Sequence, residues 1–237
     1  MAPHAETADR AVDGWYAGGS NPSPGPIYTV DSPNVVYSES SIKTKYTYRT
    51  TSVTKSDSGG YVACPKETNY DFQVERAVGK VGMMLVGWGG NNGSTVTAGI
   101  IANRRGLVWD TREGKQAANY YGSVVMASTM KLGVDSATGE EVNLPIHDML
   151  PMVHPNDLVI GGWDISGMPL DKAMDRAKVL EPALKELVRG EMATMKPLPS
   201  VYYPDFIAAN QEDRADNVLD GAKACSAHVE KIRQDIR

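Results

Sequence analysis

The stretch Val86-Gly87-Trp88-Gly89-Gly90-Asn91-Asn92-Gly93-Ser94 decides how this chain is read. A short apolar run, Val81 to Val86, precedes it, and a segment of helical character follows, Ser94 to Arg105, carrying Val96, Ile100 and Ile101. An apolar run closed by glycines fits a strand buried on both faces of a parallel sheet. A glycine-rich turn between such a strand and a helix is the setting of a dinucleotide-binding loop. Glycines tolerate positive φ and let main-chain N–H groups approach a pyrophosphate, and the helix amino terminus adds unpaired donors and the positive end of its dipole. Asn91 and Asn92 bring side-chain donors and accept left-handed turns. The glycines fall as Gly-x-Gly-x-x-x-Gly rather than the commoner Gly-x-Gly-x-x-Gly, so a tight turn without a ligand stands as the alternative reading.

Outward from the loop, Leu107-Val108-Trp109 is a second apolar run, ended by Asp110, and Leu158 to Trp163 is a third, ended by Asp164. Residues 111 to 155 form an excursion with little periodicity. Leu170, Met174, Ala177, Leu180, Leu184 and Leu187 then recur at helical spacing, with Pro182 inside the pattern to kink or split it. Pro199 to Phe206 reads as extended, and Val229, Ile232 and Ile236 share one face of a last helix. Strand, helix, strand, then strand and helix is a βαβ order, which predicts an α/β, Rossmann-type domain with a parallel sheet. In such a domain an acid at a later strand end holds the adenosine ribose. Spacing from the glycine loop favours Asp110 over Asp164, and each also reads as a solvated strand-end carboxylate.

The organisation predicted is a flexible Gly/Pro/Ser-rich leader over 1–34, an extended β arm over 35–79 and the main domain over 80–237. In the arm, the patterned residues are Val35 to Thr54, with a turn at Ser56 to Gly60 and a further strand at Tyr70 to Val74. The chain has 237 residues, 41% hydrophobic and 22% charged, enough for a sizeable core. A net charge of −5 argues against a nucleic-acid surface. The one Arg-Arg pair, Arg104-Arg105, precedes Gly106 and reads as a helix carboxyl-terminal charge pair. No apolar run approaches a membrane span. Cys64 and Cys225 frame neither a zinc site nor a disulfide scaffold, which fits a reducing, cytoplasmic setting. His4, His147, His154 and His228 include no pair at ligand spacing, so no metal is expected. Met149, Met152, Met168 and Met174 read as core filler.

Several uncommon words occur in one order: Gly87 to Thr95, Asn119-Tyr120-Tyr121-Gly122-Ser123, Leu150-Pro151-Met152-Val153, Gly162-Trp163-Asp164-Ile165, and the long run from Lys196 to Gln211. Together they resemble the inositol-3-phosphate synthase (myo-inositol-1-phosphate synthase) family over roughly residues 35 to 237. The resemblance implies NAD as cofactor, D-glucose 6-phosphate as substrate, 1D-myo-inositol 3-phosphate as product, and a homotetramer. It implies oxidation at C5, an intramolecular aldol closure through an enolate, and return of the hydride. Carried over by position, Gly90, Asn91, Asn92 and Gly93 would meet the pyrophosphate. Asp164, not Asp110, would hold the adenosine ribose, and Ser200, Val201, Gln211 and Arg214 would complete the pocket. A plain NAD-dependent dehydrogenase suits the glycine loop but not the words from Lys196 to Gln211. A truncated NAD-binding or regulatory module without catalysis is the alternative from another class.

The resemblance also implies that the family's catalytic lysines, later strands of the NAD domain and the tetramer-forming sheet lie beyond Arg237, leaving the Rossmann sheet incomplete. Hydride transfer needs the substrate held against the nicotinamide, and an enolate needs cations at its oxyanion. The purified 237-residue chain is therefore expected to form no inositol phosphate from glucose 6-phosphate and NAD, and to bind NAD weakly at best. A product assay with a full-length synthase as positive control checks this, and clear turnover would show the catalytic residues misplaced.

Overall fold

The computed structural model describes residues 28–206, 209–221 and 225–237. Residues 1–27 of the expected leader lie outside them. The chain divides into two compact units. One ends at Ala77 and includes Asp148–Pro151, and the other holds Val78–His147 and Met152–Arg237.

In the first unit β1 (Val35–Tyr37) pairs antiparallel with β2 (Ser41–Lys55), which pairs antiparallel with β3 (Tyr61–Glu75). The third strand runs well beyond the expected Tyr70 to Val74, because all fifteen residues of β2 find a partner on it, from Ser41 opposite Glu75 to Lys55 opposite Tyr61. Pro65 hid that continuity. It is tolerated because β3 is an edge strand, where a missing N–H costs no ladder bond. The turn is closed by Ser56 N–H, which donates to the Gly60 carbonyl at 2.8 Å, with Gly59 at φ +85°. Tyr46 lies directly opposite Tyr70, with ring centroids 6.5 Å apart, and Tyr70 stacks on Phe72 at 6.1 Å. The first contact is cross-strand and the second runs along β3; together they stabilise a ribbon whose strands are otherwise largely exposed.

The second unit is built on a parallel sheet. β4 (Gly82–Val86) leads through the glycine loop into α1 (Asn91–Arg104). α1 starts three residues before the expected Ser94, and Arg105 caps it with Gly106 at φ +57° beyond. There follow β5 (Val108–Thr111), β6 (Gly114–Ala117), α2 (Val124–Ala127), β7 (Thr129–Val134), β8 (Glu141–Pro145) and α3 (Ile146–Met149). β9 (Val159–Asp164) then pairs parallel with β4, Gly82 opposite Val159 and Val86 opposite Trp163. After α4 (Leu170–Ala177) and α5 (Pro182–Met192), β10 (Leu198–Pro199) pairs parallel with the other edge of β9. α6 (Ser226–Ile236) ends the described chain. The spatial order, β10-β9-β4, is the 3-2-1 order of half a doubly wound sheet, so the fold is α/β and Rossmann-type.

One expected strand does not join that sheet. β5 pairs only with β6, as a two-stranded antiparallel hairpin, and β7 and β8 form a second such hairpin. Asp110 therefore sits exposed opposite Lys115 and not at a strand end of the parallel sheet. The run Leu107-Val108-Trp109 was too short to distinguish a hairpin strand from a sheet strand.

The core lies between the sheet and α1, α4 and α5: Trp88, Ala98, Ile101, Ala102, Leu170, Met174, Leu184, Val188 and Met192 are all buried. Ile100 and Ile101 point inward as expected, but Val96 is 42% exposed. Met174 belongs to the core and Met168 packs on it, whereas Met152 is exposed. Pro182 splits the long amphipathic pattern, and Lys178 turns the chain between the halves at φ +54°. Asp175 of α4 then receives Arg189 at 2.8 Å and Lys185 at 3.0 Å from α5. Those bonds hold its carboxyl well below the usual carboxylate range. α6 is tied to the sheet by Trp163 Nε1, which donates to Asp235 Oδ2 at 2.9 Å, while Lys231 bonds the other carboxylate oxygen. Burial alone would raise the Asp235 pKa, but the Lys231 and Trp163 bonds hold it below the ordinary value. The face carrying Val229 and Ile236 is exposed.

Two glycines of this unit should respond oppositely to alanine. A Cβ at Gly162 would collide with the Leu85 carbonyl and lie 2.8 Å from Trp88 Cβ. Gly162→Ala should therefore cost about 2 kcal/mol or more, at the upper end of core overpacking. A Cβ at Gly99, inside α1, meets nothing within 4 Å. Gly99→Ala should stabilise by about 0.4–1 kcal/mol through the unfolded chain. Urea midpoints of the two variants check the opposite signs.

Candidate functional site

The site forms where β4 and β9 end side by side. Gly87 N–H and Trp88 N–H both donate to the Trp163 carbonyl, at 2.8 and 3.0 Å, which bends the chain sharply off β4. Gly87 takes φ +80°, a value that favours glycine. Trp88 folds back into the core, where its Nε1 donates to Thr97 Oγ1 at 3.0 Å, and Thr97 Oγ1 donates in turn to the Gly93 carbonyl at 2.7 Å. Gly93 lies so close beneath the loop that a Cβ there would collide with the Trp88 backbone. Each glycine thus has its own reason: a turn at 87, close approach to the carboxylate of Asp164 at 89, and close helix packing at 93.

Gly90 is the N-cap of α1 and offers no side chain to cap it. The first-turn N–H groups are therefore left for a ligand, beside the positive end of the helix dipole. They face a recess of about 610 Å³ lined by Leu85, Val86, Gly87, Gly90, Asn91, Asn92, Gly93 and Val96. A Cβ on Gly90 would stand 3.0 Å from the Gly87 carbonyl oxygen. The exposure of Val96 has its explanation here: it is part of the recess wall.

Asp164, the last residue of β9, is 3% exposed. Its Oδ1 accepts from Ser166 N–H at 3.0 Å and from Arg214 Nη2 at 2.7 Å. Arg214 Nη1 also donates to Gln211 Oε1 at 3.0 Å. Ser200 is half-buried just after β10, where its N–H donates to the Asn217 carbonyl at 3.0 Å and it bridges to Val218. Val201 follows, also half-buried. The structure thus groups Gly90 to Gly93 on the recess, and joins Asp164, Gln211 and Arg214 in one bonded chain at the end of the neighbouring strand.

Two residues of this region carried no signal in the sequence. Asn217 Nδ2 donates to the carbonyls of Asp164 at 3.0 Å and Pro197 at 3.2 Å, stitching the ends of β9 and β10 together. Arg176 of α4 donates through Nη2 to the Gly89 carbonyl at 2.6 Å, and its Nη1 is buried without a hydrogen-bond partner among the described residues. Burial first, then the like charge of Arg214, lower the Arg176 pKa, against the pull of Asp164. A single Arg or Asn on the polar side of a helix or loop reads as solvated until its distant partner is known. Among the described residues no group of His, Cys, Asp or Glu could hold a metal ion, and no helix is long and apolar enough to cross a membrane.

The uncapped helix and the recess fit a phosphate-bearing dinucleotide. The comparisons with known proteins agree. A family model of an NAD-binding domain, described as myo-inositol-1-phosphate synthase, matches residues 81–237. Inositol-3-phosphate synthase 1 of Bos taurus is 52% identical over 210 residues, covering 89% of this chain and 37% of the relative. Inositol-3-phosphate synthase of Dictyostelium discoideum is 49% identical, covering 89% and 40%. The crystal structure of inositol-3-phosphate synthase from Caenorhabditis elegans superposes with a TM-score of 0.80 at 46% identity, covering 89% of this chain and 41% of that one. The chain thus spans about two-fifths of the length of these relatives.

Asn217→Ala leaves two backbone carbonyls without their side-chain donor. It should cost about 1–3 kcal/mol of stability, the desolvation cost of unpaired groups. Denaturant titration checks the loss, and a change within error would show that the stitch is dispensable.

Proposed function

Because the chain belongs to the myo-inositol-1-phosphate synthase family, we propose that it supplies the NAD-binding part of an inositol-3-phosphate synthase. In this reading the whole protein is an isomerase that converts D-glucose 6-phosphate to 1D-myo-inositol 3-phosphate in the cytoplasm, as a homotetramer. The observation that carries the reading is the uncapped start of α1 over a glycine-lined recess, beside Asp164 at the end of the adjacent parallel strand.

Bound NAD supplies a hydride acceptor and later a hydride donor, so the conversion is redox-neutral overall. The residues of this chain hold it. Backbone N–H groups of Asn91, Asn92 and Gly93 stabilise the pyrophosphate charge without side-chain reorganisation, and Gly90, whose own N–H is spent on the Gly87 carbonyl at 2.9 Å, lets the pyrophosphate approach by lacking a side chain. Asp164 accepts from the adenosine ribose hydroxyls, and Arg214, itself steadied by Gln211, orients that carboxylate. Ser200 and Val201 close the pocket where β10 ends. A cofactor regenerated within each cycle benefits from being retained, which suits a loop so rich in fixed donors.

The test joins this chain to the remaining part of the bovine synthase. Given glucose 6-phosphate and a trace of NAD, the joined protein should form inositol phosphate with no NADH left over. Gly90→Val in that protein should remove NAD binding measured by calorimetry. Asp164→Ala should weaken it by about 1.5–3 kcal/mol, the range for hydrogen bonds to a charged group, and Asp110→Ala by much less. Unchanged affinity in Gly90→Val, or the reverse ranking of the two acids, refutes the assignment.

A further inference from the structure

We propose that Arg176 is a positioning residue of the nucleotide site: from α4 it holds the Gly89–Gly90 peptide in the one orientation that aims the amino terminus of α1 into the recess. The inference rests on the NAD reading above and deepens it.

Gly89-Gly90 is the adjacent glycine pair of the loop. A peptide between two glycines meets little steric resistance to turning over, because neither residue carries a Cβ. This peptide is nevertheless held at both ends. Its carbonyl accepts from Arg176 Nη2 at 2.6 Å, and its N–H, that of Gly90, donates to the Gly87 carbonyl at 2.9 Å. Gly90 is also the N-cap of α1, extended at φ −74° and ψ 177°, so the orientation of this one peptide sets the angle at which the helix begins. A turned-over peptide would break both bonds and bring the Gly89 oxygen to the place where the N–H now meets the Gly87 oxygen. The N–H groups of Asn91, Asn92 and Gly93 would then lose the start that points them at the recess. Gly89 itself is buried and is not part of the recess wall, so Arg176 acts from behind the loop and not on the ligand. Any ordinary donor would satisfy a buried carbonyl. A guanidinium does more: its bond is charge-assisted, about twice as strong as a neutral one, and its charge is not lost at any working pH.

Two variants separate this role from packing of α4. Arg176→Met keeps most of the stem and removes every donor, and Arg176→Lys keeps a cation and a single-point donor. Amide hydrogen exchange followed by NMR on the 237-residue chain needs no ligand. In Arg176→Met the Gly90 N–H should exchange about tenfold or more faster, while the amides of β4 and β9 keep their wild-type rates. Arg176→Lys should lie between. In the protein joined to the bovine part, calorimetry with NAD, ADP and adenosine reads the effect on binding. Arg176→Met should weaken NAD and ADP about tenfold or more, the effect of one lost charge-assisted hydrogen bond, and leave adenosine within about twofold, because adenosine has no pyrophosphate to meet the helix. Gly90 exchange that is unchanged, or quickened no more than that of β4 and β9, overturns the clamp. NAD affinity that is unchanged, or lost no more than adenosine affinity, overturns its part in binding. If Arg176→Met does not fold, Arg176→Lys carries the same comparisons. A wild-type joined protein that binds no NAD refutes the cofactor reading instead, and the Gly90 exchange still decides the clamp.

Discussion

One backbone oxygen organises the nucleotide-binding unit. The Trp163 carbonyl takes hydrogen bonds from both Gly87 and Trp88. It thereby ends β4, starts the glycine loop and sets the distance between that loop and the next residue, Asp164. Gly162, opposite Leu85, leaves empty the space where a Cβ would collide with the Leu85 carbonyl and crowd Trp88. Trp88 then locks the loop from below through Thr97, so the donors at the start of α1 are fixed before any ligand arrives. Pre-organisation of that kind spares the entropic cost of ordering a loop on binding.

The sequence made the centre of the site legible and its supports obscure. The glycine loop could be read because its residue types answer local needs: positive φ, close approach and a free helix end. The break at Pro182 was legible for the same reason, since a proline's effect is local. Asp110 misled because strand membership depends on a partner far along the chain, and three apolar residues suit either a hairpin or a parallel sheet. β3 was underread because Pro65 argues against a strand unless that strand is known to be an edge. Arg176 and Asn217 could not be found at all, since their roles lie in bonds to residues 87 and 53 positions away. The family resemblance pointed to Gln211 and Arg214; that Gln211 holds the Arg214 that bonds Asp164 is something no spacing rule would have suggested.

The polar cluster around Asp164 also shows how burial of charge is tolerated here. A carboxylate that is 3% exposed would be costly alone. Ser166 N–H and Arg214 satisfy it, Gln211 holds Arg214, and Asn217 fixes the Asp164 carbonyl from the other side. Apart from Ser166, the partners come from the segment after β10, so most of the polar network is completed by the stretch of chain that follows the last strand of the parallel sheet.

The excursion between α1 and β9 bears on how this unit is assembled in time. Gly82 pairs with Val159 across two hairpins and several short turns that take no place in the parallel sheet. Lengthening a connection is thermodynamically mild, about 0.6 kcal/mol for each doubling. Its effect on rate is larger, because folding slows as stabilising contacts become more distant in sequence. The hairpins β5–β6 and β7–β8 close over a few residues and can form early, whereas the Trp163 oxygen reaches Gly87 only once β4 and β9 have met. The glycine loop therefore takes its shape only once this long-range pairing has formed, and an intermediate lacking it would not hold the amino terminus of α1 in place.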